Sequence, residues 1–188
     1  KLPQREVKEN LASRFPKKGD EPFAIGILHC NVGGSTEHDN YAPCTTNDLM
    51  GCGMDYWALG HIHTRQILTD EPYIIYSGNT QGRSVRETGE KGFYVVSVGK
   101  QGHADAEFFA TDVIRWFVED VSIADIENLN MLIDILIDKK EELRAKADKR
   151  PAIVRLQLGG RGEIHSQLKN QGAEILASLN DDEQYKGQ

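Results

Sequence analysis

Five apolar runs predict short β-strands in the first 110 residues. Each run is rich in β-branched or aromatic side chains and is bounded by polar loops that contain glycine, proline, asparagine or aspartate. The predicted strands are residues 23–29, 55–60, 73–76, 93–98 and 106–109. A Gly-Lys-Gln-Gly turn joins the last two, which predicts a hairpin that completes the sheet.

Two short helices are predicted in the same region. Residues 5–15 carry apolar side chains at helical spacing, and Pro16 ends the element. Thr45 and Asp48 stand at the spacing of a capping box, so a second helix is expected over residues 46–52, closed by glycines. Alternation of strands and helices is typical of an α/β fold.

A change in composition near residue 111 predicts a domain boundary. We therefore assign residues 1–111 to one domain and residues 112–188 to a second. The second domain is expected to hold a strand over residues 113–121, a long helix, and a strand over residues 152–158. This order predicts a small βαβ-like unit.

The long helix is predicted from a repeat of apolar residues with helical periodicity. We expect it to begin at Ser122, with Asp125 in its first turn, and to end before Pro151. The repeat comprises Ile123, Ile126, Leu129, Leu132, Ile133, Leu136, Ile137 and Leu143. The tail from Asn180 onward is polar and is predicted to be frayed.

Composition limits the classes of function. The 188 residues carry a formal net charge of -7, which argues against broad electrostatic adhesion to nucleic acid or anionic membranes but not against a nuclease with a local basic rim. No apolar run approaches the ~18 residues of a membrane span.

The three cysteines form no Cys-x-x-Cys motif, which favours a cytoplasmic setting. A structural zinc site using these cysteines and His38 is an alternative.

Candidate chemistry lies where two predicted strands end. The strand over residues 55–60 runs into Gly-His-x-His, and strand alternation would point His61 and His63 the same way, with room left by Gly60. His29 ends the first strand. If these strands neighbour each other in one sheet, their carboxyl ends bring the histidines together. Imidazole is a common metal ligand, so we predict a metal site at His29, His61 and His63.

The order of these motifs resembles that of a known family. The histidine-ended strand is followed by Tyr-Trp-Ala-Leu-Gly-His-Ile-His, then by Ser-Gly-Asn-Thr-Gln-Gly-Arg and Gly-Glu-Lys-Gly-Phe. This resembles the second half of calcineurin-like metallophosphoesterases, and more narrowly the bacterial DNA repair exonucleases related to the SbcD nuclease subunit. The resemblance covers residues 23–98 well and continues more loosely to about residue 170. It implies the C-terminal half of an αββα sandwich, followed by a capping domain.

The resemblance also implies a two-metal site of which this chain carries a part. His29 and His61 would match ligands of one ion, and His63 a ligand of the other. The family's early Asp-x-His, bridging aspartate and Asn-His pair have no counterparts here. We therefore expect the C-terminal portion of a larger enzyme that hydrolyses little or nothing alone, with no catalytic residue in this chain.

The function implied by the resemblance is hydrolysis of phosphodiester bonds in DNA. It would use two divalent ions, manganese in the family, that activate phosphate and water. Arg83 and Arg65 are candidate phosphate contacts, although Glu87 and Glu90 are placed to pair with these cations. The resemblance further implies a coiled-coil ATPase subunit as partner and a homodimer.

Two alternatives stay open at this point. A phosphoesterase acting on nucleotides or phosphoproteins would share the histidines without needing a domain that selects DNA. A non-catalytic binding module would use residues 112–170 as a docking surface. Replacing the three histidines would abolish activity in an enzyme and leave partner binding intact in a module.

Overall fold

The computed structural model describes residues 7–34 and 40–184, the last three by their backbone only. These residues form two compact units. The first runs to Gly82 and resumes over Glu90–Asp112, and the second comprises Arg83–Gly89 and the chain from Val113 onward. The predicted α/β class is confirmed. Among the described helices, none combines the length and apolar character that crossing a membrane requires.

A four-stranded sheet with order β1-β2-β4-β3 organises the first unit. Its strands are β1 (Ile25–His29), β2 (Tyr56–Gly60), β3 (Gln66–Asp70) and β4 (Tyr73–Tyr76), and helix α1 (Thr46–Met50) lies between β1 and β2 in the chain. The first three of the predicted strands and the capping box of α1 are confirmed. β1, β2 and β4 run parallel, so their carboxyl ends share one edge of the sheet.

The edge strand β3 was not predicted. Its sequence, Gln-Ile-Leu-Thr-Asp, has no clear alternation, and none of its residues is fully buried. It pairs antiparallel with β4. Backbone hydrogen bonds to the neighbouring strand stabilise such an edge strand. It can therefore form without a regular alternation of apolar and polar side chains.

The core of the first unit is built on Trp57 of β2. This side chain is fully buried, and its indole N–H donates to the carbonyl of Leu49, which holds α1 against the sheet. Phe15 contacts the same ring edge-on, with 4.9 Å between centroids. Gly26 pairs with Trp57 across the parallel register. The indole occupies the space that a side chain at residue 26 would need.

The predicted helix over residues 5–15 is wrong for the part that the structure describes. A single turn of 3-10 helix forms over Leu11–Arg14, with the Asn10 side chain accepting from a backbone N–H of that turn. Before it, the carbonyl of Val7 accepts from the N–H of Ala42. Asn10 lies in the middle of the predicted helix, and asparagine is more favourable at a helix cap than in a helix interior. The stretch that follows it is too short to be helical without packing support.

The predicted hairpin is confirmed as β5 (Gly92–Val98) and β6 (Ala104–Ala110). Its expected place in the sheet is wrong, because within the described residues it forms a two-stranded sheet of its own. β3 already occupies the position beside β4 that the hairpin would have filled. The N–H of Gly92 instead donates to the carbonyl of Asn79, in the segment that follows β4.

The second unit confirms the βαβ prediction. Strands β7 (Arg115–Ser122) and β8 (Ala152–Gly159) pair in parallel, and helix α2 (Leu129–Lys146) connects them. A further helix, α3 (His165–Gln184), was not predicted and contacts α2. The tail from Asn180, expected to be frayed, continues as helix to Gln184. Burial of Ile175 and Leu179 anchors α3 and stabilises its last turns.

Helix α2 begins later than predicted. Ser122 is the last residue of β7, and the next N–H, that of Ile123, donates to the carbonyl of Gly159, so strand pairing continues there. The N-cap is Asn128, whose side chain accepts from the N–H of Met131 at 3.0 Å. Ile123 and Ile126 lie in the turn before the helix and are buried in the same core as its apolar face. Their spacing therefore resembled a continuation of the helix.

Candidate metal centre

Strands β1 and β2 place two of the three predicted ligands side by side. His29, the last residue of β1, pairs with Gly60, the last residue of β2, and His61 follows directly. Nδ1 of His61 lies 3.3 Å from Nε2 of His29. The ring centroids are 5.1 Å apart at 77°. Two imidazole nitrogens therefore converge at the carboxyl edge of the sheet.

The separation of these nitrogens fits a shared metal ion. For N-metal distances of ~2.1 Å, nitrogens 3.3 Å apart subtend about 100° at the ion, which suits tetrahedral and octahedral coordination. Neutral imidazoles also suit divalent transition metals. Over residues 7–34 and 40–184, no group of three or more His, Cys, Asp or Glu side chains is placed so that it could hold a metal ion. The structure thus brings together two of the three predicted ligands, His29 and His61, and their role as metal ligands stays a prediction.

The backbone around the pair is specialised. A Cβ at Gly60 would lie 3.0 Å from Nδ1 of His29, so this glycine leaves room for the His29 ring. The room predicted beside His61 and His63 stays a prediction. His61 has φ of +106°, a conformation that non-glycine residues rarely adopt. Strain of this kind concentrates at functional sites. Strand alternation ends at Gly60, so the argument that His61 and His63 point the same way by strand geometry is wrong.

The protonation state of His29 suits metal binding. Partial burial of the ring lowers the pKa of His29 from its ordinary value, and the charges of His61 and His63 lower this pKa further. A lower pKa favours the neutral form of the imidazole at neutral pH. This form binds a metal through the lone pair of its unprotonated nitrogen. His63 therefore lies near enough to influence His29 electrostatically.

Polar contacts hold the backbone of His63. Its carbonyl accepts from the N–H of Asn79 at 3.2 Å and from Nζ of Lys91 at 3.3 Å. Gly78, at φ +75°, packs so closely that a Cβ there would lie 2.7 Å from the same oxygen. Nδ2 of Asn79 is buried without a hydrogen-bond partner. No role was predicted for Lys91, because no local pattern shows which residue its side chain reaches.

Tyr41 is a second neighbour of the site to which sequence reasoning assigned no role. Its ring lies edge-on to His29, with 5.2 Å between centroids, and nearly parallel to His61 at 5.9 Å. Tyr41 lies in the segment between β1 and α1. One aromatic residue in a polar loop carries no periodic signal, so only the folded chain reveals this packing.

The two candidate phosphate-contacting arginines have other interactions in the structure. The guanidinium of Arg65 lies over the ring of Phe108, 3.9 Å from its centroid, and 3.7 Å from the carboxylate of Glu90. Arg83 belongs to the second unit and pairs with Glu87 at 3.3 Å. The pairing with glutamates considered from the sequence is present, and phosphate contact by either arginine stays a prediction.

The alternative zinc site finds no support in the part of the chain that the structure describes. Cys30, Cys44 and Cys52 are free thiols buried in the core of the first unit. No group of three or more potential ligands forms around them within the described ranges. His38 lies outside the described residues. The burial of these cysteines is that of ordinary core residues.

Comparison with known proteins bears on both units. Residues 116–188 match the family model described as "Metallophosphoesterase YhaO, middle domain". A Bacillus subtilis (strain 168) protein described as "Uncharacterized metallophosphoesterase YhaO" is 44% identical over 157 residues, which cover 83% of this chain and 38% of that protein. The chain spans less than half of this relative. In sequence, the chain is thus similar to a metallophosphoesterase, and its second unit matches that family's middle domain.

Proposed function

We propose that this chain is part of a metal-dependent phosphoesterase. His29 and His61 are ligands of one divalent ion, and His63 is a ligand of a second. The observation that carries the proposal is the 3.3 Å approach of the two imidazole nitrogens at the ends of adjacent parallel strands. The 44% identity to a metallophosphoesterase supports it.

In this proposal, the residues of this chain bind the metal ions and orient the ligands. Bound divalent ions, manganese in our proposal, supply Lewis-acid activation of the phosphate ester and of water. His29 presents a neutral nitrogen, Tyr41 packs against both rings of the pair, and the Ser-Gly-Asn turn supports the backbone of His63. The sequence contains no Asn-His pair to supply the family's general acid.

At a finer level, we propose that the substrate is DNA and the reaction exonucleolytic repair. The support is the motif order shared with SbcD-related nucleases. A coiled-coil ATPase partner, a homodimer and a cytoplasmic location belong to the same proposal. Two alternative functions compete with this proposal. One is hydrolysis of nucleotides or other phosphate esters, and the other is a binding module without catalysis.

Metal binding tests the site directly. We expect the purified chain to bind Mn²⁺ or Co²⁺ in calorimetric titrations. His29→Ala and His61→Ala should each weaken binding by at least about 100-fold, since loss of a ligand should exceed the ~10–100-fold cost of losing a residue that hydrogen-bonds to a ligand. His103→Ala, at an exposed histidine of the β5-β6 turn, is the matched control. Equal affinities in all four proteins would refute the assignment.

Catalysis tests the finer proposal. The 188-residue chain is expected to show little or no manganese-dependent hydrolysis of DNA, because family ligands from an Asp-x-His and an Asn-His pair are absent from it. The intact gene product should hydrolyse DNA ends in preference to small phosphate esters, as measured by release of labelled nucleotide. Robust activity of the chain alone would contradict the partial site. A preference for small esters would favour the competing substrate.

A further inference from the structure

Lys91 is buried beside the candidate metal centre. It is 4% exposed, although lysine is rarely buried unless its charge is compensated. An ammonium group loses hydration on burial, so it requires strong acceptors nearby. Its position in the first unit is therefore a specific arrangement and not a consequence of apolar packing.

The backbone of Lys91 is anchored at the base of the β5-β6 hairpin. The carbonyl of Lys91 accepts from the N–H groups of Thr111 and Asp112, at 2.8 and 3.2 Å. The N–H of Lys91 donates to the Asp112 carboxylate at 3.4 Å. These bonds on both sides of the residue hold its Cα in place, which directs the side chain from a rigid point.

From this point the ammonium reaches the backbone of a proposed ligand. Nζ of Lys91 donates to the carbonyl of His63, which also accepts from the N–H of Asn79. A carbonyl oxygen has two lone pairs, and these two donors can engage both of them. Gly78 packs against the same oxygen, so this peptide has little freedom to move in that direction.

We propose that Lys91 is a positioning residue, whose buried ammonium holds the His63 peptide so that the imidazole is oriented toward the second metal ion. This inference rests on the proposed function. Ligand geometry must be held to about 0.5 Å for productive coordination, and supporting residues set it. The competing role is purely structural, in which Lys91 offsets the buried Asp112 and joins the hairpin to the unit without affecting His63.

NMR spectroscopy of the 188-residue chain separates these roles. In the wild type, we expect a scalar coupling across the hydrogen bond between Nζ of Lys91 and the carbonyl carbon of His63. Lys91→Met keeps an unbranched side chain that is one atom shorter and removes the donor, so the amide signal of Thr64 and the ring signals of His63 should shift. Lys91→Arg should restore them toward wild type, and Lys100→Met, at an exposed lysine of the hairpin turn, should leave them unchanged.

Bound Co²⁺ provides the readout of orientation. Paramagnetic relaxation of the His63 ring protons by Co²⁺ bound at the second site should fall severalfold in Lys91→Met, while the Co²⁺ affinity of the first site, set by His29 and His61, is unchanged. Absence of the coupling in wild type, or a folded Lys91→Met variant with wild-type His63 signals, would overturn the proposal. If Lys91→Met does not fold, the wild-type coupling decides. If wild type fails to bind Co²⁺, the proposed function fails while the coupling and the Thr64 shift still test Lys91.

Discussion

Replacing Gly26 with alanine is expected to lower the free energy of unfolding of the first unit by about 3 kcal/mol, the upper range for overpacking a core. The added methyl carbon would lie 2.3 Å from Cε3 and 2.4 Å from Cζ3 of Trp57. The indole cannot move aside cheaply, because it is fully buried and its N–H donates to Leu49. β1, which carries His29, must therefore shift relative to β2.

Urea denaturation monitored by circular dichroism measures this effect. Gly159→Ala is the matched control, because a Cβ there meets nothing within 4 Å and its effect should be small. In a Trp57→Leu background the added methyl group should cost much less, since the rigid ring is gone. If Gly26→Ala were as stable as Gly159→Ala, the inferred contact between β1 and the indole would be incorrect.

Replacing Leu132 with alanine is expected to destabilise the second unit by about 3 kcal/mol, within the range for deleting a buried leucine side chain. Leu132 is fully buried on α2, in a core that includes Leu136, Ile164 and Ile175. The loss combines transfer of apolar atoms out of the core with the cavity that remains. α3 depends on the same core, so its last turns should become less protected.

The neighbouring helix position provides the control. Met131 is 39% exposed, and Met131→Ala should change the free energy of unfolding by less than about 0.5 kcal/mol, as for most surface substitutions. Fluorescence of Trp116 on β7 and hydrogen exchange along α3 report on this unit. Equal destabilisation by the two substitutions would show that α2 is rotated relative to the structure described above.

Local pattern predicted the elements that carry strong side-chain signals. Runs of β-branched and aromatic residues marked β1, β2 and β4, and the Thr-Asp capping box marked α1. β3 and α3 escaped prediction because each depends on neighbours. β3 is a half-exposed edge strand, and α3 has few buried apolar residues for its length. The predicted start of α2 at Ser122 lies six residues before its observed N-cap, Asn128. The error arose because apolar residues of the preceding turn are buried in the same core as the helix.

Local patterns were sufficient to predict the α/β class, the βαβ order of the second unit and the identity of the candidate ligands, since strand ends and histidine spacing are local properties. Which groups meet is established by the folding of the chain. The parallel register of β1 and β2 brings His29 to His61, and a hairpin 28 residues beyond His63 supplies Lys91 to its carbonyl. Such contacts join residues distant in the chain, so no pattern of neighbouring residues encodes them.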